Sequence, residues 1–166
     1  MNVSININKA VLLQQIINEL ERELAQLRAG YEEARLTSIE APGRMQSRYD
    51  TMGVEAAWVA DGLAKNFEEK AEGLSRIKQF RLPNNPKQVA IGCVVGIGPE
   101  SGTVERIFFI LPACGGVSVP LEDGIMTVQT VMSQAPIARK LIGKELDDEV
   151  DARPDQIEPD IILFIT

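Results

Sequence analysis

Ala41-Pro42-Gly43-Arg44-Met45-Gln46-Ser47-Arg48-Tyr49-Asp50 is the stretch on which the fold turns. Pro-Gly is a strong turn signal, and here it separates two segments of helical grammar. Upstream, Leu13, Ile17, Leu20, Leu24, Leu27, Tyr31 and Ala34 step by four and three without a break, an a/d heptad seam. Glu19, Arg22, Glu23, Arg28, Glu32 and Glu33 fill the remaining faces. Downstream, Gly53, Ala57, Ala60, Ala64, Phe67, Ala71 and Leu74 repeat the spacing with mostly small side chains. Large against small lets two helices approach closely and interdigitate. Trp58 and Val54 lie off this second seam.

Folding the chain back on itself pairs Leu13 with Leu74, Ile17 with Ala71, Leu20 with Phe67 and Leu24 with Ala64, numbers that sum to 87 or 88. The midpoint falls near residue 44, on the Pro-Gly turn. Residues 1–80 are therefore expected to form a long antiparallel α-helical coiled-coil hairpin with its tip near 41–50. Each arm should run about 45 Å at 1.5 Å per residue. A hairpin of that length buries one stripe, so its distal end is expected to protrude. The alternative is an αα-hairpin that dimerises into a four-helix bundle.

"RLPNNPK" (81–87) has two prolines, two asparagines and no periodicity, and reads as a linker. Beyond it, over 88–166, "QVAIGCVVGIG", "GTVERIFFIL", "GIMTVQTVM" and "DIILFIT" are β-branched runs separated by Gly and Pro signals. One short helix is embedded in "APIARKLIG". Pro136 suits its first turn and Gly143 its C-terminal cap. Arg139, Lys140 and Lys144 load the end where the helix dipole favours cations. Ile137, Leu141 and Ile142 are expected to face the sheet. The expected fold class is α+β: the helical hairpin, then an antiparallel sheet carrying one helix. "KELDDEVD" (144–151) lacks the loop grammar of an EF-hand and reads as a solvated turn leading into a strand.

The chain of 166 residues has a formal charge of -7. Residues 1–80 contribute -2 and residues 81–166 contribute -5, so neither half has the basic footprint of an autonomous nucleic-acid binder. There are no histidines, which excludes His-based triads and His metal sites. Cys93 and Cys114 match no zinc spacing and read as reduced thiols packed in the β region. The closing Ile161–Ile165 run is too short to span a bilayer. "MNVSININKAVLLQQ" lacks the basic start, apolar stretch and cleavage site of a secretory signal. A cytoplasmic protein is expected.

The hairpin, the linker and a sheet domain holding "APIARKLIGKELDDEV" together resemble the Gre family of bacterial transcript-cleavage factors. The family signature is matched at Pro136, Ile137, Ala138, Arg139, Leu141, Ile142, Gly143, Lys144, Asp148 and Val150; Ala135 stands for a usual Ser and Lys140 for a small residue. The resemblance implies that the second domain is FK506-binding-protein-like (FKBP-like) and docks at the rim of RNA polymerase's secondary channel. It implies docking through Pro136, Ile137, Arg139, Lys140 and Lys144, with Arg44 and Arg48 contacting the polymerase at the tip. The tip would enter the channel and present acids, here Asp50, Glu55 and Glu40, to Mg²⁺ shared with the polymerase active site. Asp50 and Glu55 would be its ligands only within that complex. The polymerase would then hydrolyse its own backtracked RNA, a metal-assisted phosphoryl displacement.

The familiar tip carries two acids three residues apart, and with Asp50 in the first place the second falls at Gly53. Asp50 also has an ordinary explanation, because Ser47-x-x-Asp50 has the spacing of a capping box. A secondary-channel regulator that does not promote cleavage is therefore the alternative function. Prolyl isomerase activity fits poorly. Residues 81–166 hold only Phe108, Phe109 and Phe164 as aromatics, and adjacent strand residues point to opposite faces. The expected protein is a monomer with no catalytic site of its own, bound to RNA polymerase and touching the backtracked RNA only indirectly.

Overall fold

Two long helices form where the heptad seams run, α1 over Lys9–Glu40 and α2 over Met52–Gln79. The computed structural model describes residues 7–40, 51–121, 124–153 and 158–166. Asn8 starts α1: its side-chain oxygen accepts the N–H groups of Ala10 at 3.1 Å and Val11 at 3.2 Å, a standard N-cap bond. Thr51 precedes α2, and its carbonyl accepts the Glu55 N–H at 2.9 Å. Arg76 and Lys78 occupy the last turn of α2, where cations suit the helix dipole. The proposed capping pair Ser47 and Asp50 lies outside the described residues.

The chain divides into two compact units, Met1–Asn18 with Gly73–Thr166, and Glu19–Glu72. In Glu19–Glu72, Leu24, Leu27, Tyr31, Ala34, Ala57, Ala64, Phe67 and Ala71 are half-buried, and Leu20 and Ala60 are buried. The seams thus mark the faces that turn from solvent. The Lys70 ammonium pairs with the Glu23 carboxylate. A Cβ added to Gly30 would lie 3.5 Å from Leu63 Cδ1. Positions 23 and 70, like 30 and 63, sum to 93, so the two helices run antiparallel.

That sum corrects the register drawn from the heptads, which was 87 or 88. Phe67 therefore stands near the Leu24–Leu27 turn of α1 and not level with Leu20. The cause is the self-similarity of the seam: sliding one helix by a few residues again brings apolar stripe against apolar stripe. The spacing selects the face, and particular cross-links select the register.

The other unit is built on six strands: β1 (Val94–Gly98), β2 (Arg106–Leu111), β3 (Ser118–Pro120), β4 (Thr127–Met132), β5 (Glu149–Val150) and β6 (Asp160–Ile165). A short helix, α3 (Pro136–Leu141), lies between β4 and β5 in sequence. The strand order is β3-β4-β2-β1-β6-β5. The sheet is mixed rather than antiparallel as expected, because β2 and β4 pair in parallel. After β2 the chain reverses through Pro112–Val117 to the edge strand β3. It reverses again into β4, which inserts between β3 and β2. Two reversals restore the direction of β2.

Both faces of this sheet are covered at β1 and β2, whereas β3 and β4 leave Ser118, Pro120, Thr127 and Gln129 exposed. Phe108 and Phe109 are 1% and 0% exposed although they must project oppositely. Phe108 joins Val95, Ile97, Ile110, Val131 and Ile162 in a core with Ala138 and Leu141 of α3. On β1, Gly96 pairs with Phe164 of β6. A Cβ at Gly96 would come within 2.0 Å of that ring, so only glycine leaves room for it.

The helix ends of this unit make specific attachments. A Cβ on Gly73 of α2 would lie 2.6 Å from Cys114 Sγ. Gly92, at φ +91°, receives Pro83 and Phe80, whose atoms would stand 2.5 and 2.7 Å from an added Cβ. Lys9 Nζ donates to the Pro83 carbonyl at 2.6 Å. The 81–87 stretch forms no helix or strand and is held by these contacts. Cys93 is a buried free thiol of the core, where burial pushes its pKa up. Cys114 instead sits half-buried in the β2–β3 loop at φ +56°.

Candidate functional site

The candidate acids divide by where they stand. Glu40 closes α1 and is exposed. Glu55 lies in the first turn of α2, where an acid suits the helix dipole. Its carboxylate accepts a bond from the Thr51 hydroxyl at 2.8 Å. Glu55 therefore has a local structural task whatever else it does. Asp50, Arg44 and Arg48 lie outside the described residues. Among the described residues, no three Asp, Glu or Cys side chains come together as a metal site. Glu40 and Glu55 alone do not supply the ligand set that Mg²⁺ requires.

The second candidate region surrounds α3. Pro136 occupies the first helical position, after an extended Ala135 that makes no side-chain cap bond. Ala138 and Leu141 are buried, and Ile137 packs partly against the core. Ile142 was expected to face the sheet, but it stands 38% exposed. The helix ends one residue earlier, and Ile142 turns outward at φ -57°, ψ 131°.

Gly143 follows at φ +87°, the left-handed conformation that favours glycine. Its N–H reaches the Val89 carbonyl at 2.8 Å, and the Val89 N–H returns to the Lys144 carbonyl at 2.8 Å. Gln88 and Glu145 form an antiparallel bridge. Ile91 and Ile142 are both exposed apolar side chains. Arg139 and Lys140 are exposed, and Lys144 is half-buried. Lys140 Nζ donates to the Asp151 carbonyl at 2.6 Å, so it also ties the segment after β5.

The acidic run at 144–151 is a turn, as its composition indicated. Asp148 accepts the Glu145 N–H at 2.7 Å and Asp147 takes φ +67°. The chain then enters β5.

Two features escaped sequence reasoning. One is the bridge between Gln88 and Glu145, residues 57 apart, which leaves no local signal. The other is Arg153, which donates to Glu105 at 2.6 Å and to the buried Asp160 at 3.2 Å. These bonds, Glu105's first, hold the guanidinium pKa above its usual value. A buried Asp at the start of a strand could have flagged a cationic partner, but not which one.

No family model matches the chain, and no curated protein matches it. Among solved structures, the chain is similar to the GreA factor homolog 1 (Gfh1) protein of Thermus thermophilus. Identity there is 18% over 90% of this chain and 94% of that one, with a TM-score of 0.32. A second structure, titled as the transcription factor Gfh1, gives 18% identity over 90% and 92%, with a TM-score of 0.34. Identity and scores this low carry no functional argument by themselves.

Proposed function

We propose that this protein is a Gre-like transcription elongation factor that binds bacterial RNA polymerase. The observation that carries the reading is the "APIARKLIGK" signature together with the way it folds. Pro136 opens a short helix on the sheet, Gly143 closes it in a left-handed turn, and Arg139 and Lys140 stand in solvent. In this reading residues 88–166 are an FKBP-like docking module. The paired helices α1 and α2 form a coiled-coil hairpin that delivers its tip into the polymerase's secondary channel. The antiparallel contacts of Glu23 with Lys70 and Gly30 with Leu63 support the hairpin.

The chain performs no catalysis of its own here. It acts as a cytoplasmic monomer, without autonomous DNA binding, and stimulates the polymerase to cleave backtracked RNA. It brings no metal; Asp50, with Glu40 and Glu55, offers carboxylate to Mg²⁺ held by the polymerase. A second reading, regulation of the channel without cleavage, is favoured by Gly53 in the place of a second tip acid and by the Thr51 bond that occupies Glu55.

An RNA-cleavage assay on backtracked polymerase separates the two. Stimulation by the intact chain, reduced at least tenfold by Asp50→Asn with polymerase binding unchanged, supports the first; tenfold corresponds to about 1.4 kcal/mol of barrier. Binding without stimulation at any Mg²⁺ concentration replaces it with the second. Absence of polymerase binding removes both.

A further inference from the structure

Trp58 is the chain's single tryptophan, and it stands 69% exposed in the Glu19–Glu72 unit. Tryptophan ordinarily buries most of its ring. At protein interfaces it is enriched among the residues that carry binding energy. The seam of α2 turns Ala57, Ala60 and Ala64 from solvent, which leaves Trp58 on the outward side of the helix.

Its neighbours one turn away, at three- and four-residue spacing, are Val54, Glu55, Asp61 and Gly62. Gly62 offers no side chain, and a Cβ built there would meet nothing within 4 Å, so the helix surface is open at that position. Glu55 and Asp61 are exposed on either side of the tryptophan along the helix. The Thr51 hydroxyl bond at 2.8 Å draws the Glu55 carboxylate toward the start of α2, while Asp61 stands one turn beyond Trp58. No Lys or Arg occurs between Met52 and Ala64; the next cation, Lys65, lies one turn beyond Asp61 and is exposed. On α1, Arg35 is level with Trp58 by the pairing sum, but it is bonded to Glu32 at 3.2 Å. Across Glu19–Glu72 there are twelve acidic and seven basic residues, a net charge of -5.

We propose that Trp58, flanked by Glu55 and Asp61, is a docking point for an arginine or lysine side chain on a protein partner. The face of an indole ring attracts a cation, and acidic residues one turn to either side raise the local negative potential. Arginine fits best, since its planar guanidinium stacks on an aromatic ring while its edge bonds a carboxylate. The same carboxylates repel phosphate, which sets nucleic acid and anionic membrane aside. The inference borrows from the proposed function only the identity of the partner, a polymerase surface bearing that cation.

The test uses the intact chain, whose emission reports Trp58 alone. Titration with an octa-arginine peptide should give a saturable change in tryptophan fluorescence, and an octa-glutamate peptide should give none. Glu55→Gln with Asp61→Asn should weaken the peptide at least fivefold, whereas Glu68→Gln with Glu69→Gln, which removes the same charge elsewhere, should not. No saturable change, or equal loss in both double variants, overturns the proposal.

In a second arm, Trp58→Leu should weaken binding to bacterial RNA polymerase at least fivefold with helical circular dichroism unchanged. Undiminished polymerase binding by that variant overturns the proposal while leaving the elongation-factor reading intact. A chain that binds the arginine peptide at Trp58 but never binds polymerase removes that reading and leaves the cation site standing.

Discussion

In the sheet-bearing unit, Ile107, Phe108, Phe109 and Ile110 are each no more than 2% exposed; among the described residues of Glu19–Glu72, only Leu20 and Ala60 are buried. The contrast follows from geometry. Where the sheet is covered on both faces, at β1 and β2, both sets of alternating side chains are hidden. Two helices share one seam, and everything off it meets water. Cohesion should therefore be concentrated in the first unit, leaving the second to hold its form through half-buried contacts and cross-links.

The strongest way to break this comparison is to truncate one aromatic in each unit. Phe109→Ala should cost about 3–5 kcal/mol, the usual range for a fully buried aromatic. Phe67→Ala, at a half-buried seam position, should cost on the order of 1 kcal/mol, since only part of its area leaves water. Urea unfolding monitored by circular dichroism measures both. Equal losses would mean that the seam is as well packed as the sheet, and the contrast would fail.

A smaller effect probes how α2 is fastened within the sheet-bearing unit. Gly73→Ala places a methyl 2.6 Å from Cys114 Sγ, so one of them must move. Overpacking of this kind costs about 1–3 kcal/mol. Cys114→Ala removes the obstructing atom, so the double variant should recover most of the loss as a coupling between the two sites. Additive losses would show that the loop yields freely and that Gly73 is not an anchor.

These variants also mark where the sequence was readable. The faces of α1 and α2 were legible because burial imposes a heptad period, and Leu13, Ile17, Leu24, Leu27 and Phe67 all turn from solvent. The short helix was legible because Pro136 and Gly143 each suit one end of it. The register was not, since a heptad stripe does not distinguish its own repeats. The parallel pairing of β2 with β4 was hidden as well, because β3 is three residues long and leaves little pattern. The signature region around α3 could be read as a motif, whereas the Gln88–Glu145 bridge is long-range pairing that only the fold supplies. Asp50, Arg44 and Arg48 rest on the family resemblance alone.

The smallest expected effect is the one that decides the register. Glu23 and Lys70 pair across the two helices with side chains 32% and 41% exposed, so the bond is worth only about 0.2–1 kcal/mol. Under the heptad sum of 88, Glu23 would instead stand level with Lys65. Charge exchange separates the two registers. Glu23→Lys alone sets like charges together, and adding Lys70→Glu should restore the loss. Adding Lys65→Glu instead should leave the loss in place. The coupling should shrink as salt rises, because both groups are partly in solvent and screening shortens their reach. Restoration by the Lys65 partner, and not by Lys70, would move the seam back to the heptad register. Phe67 would then stand level with Leu20, and Arg35 would no longer be level with Trp58.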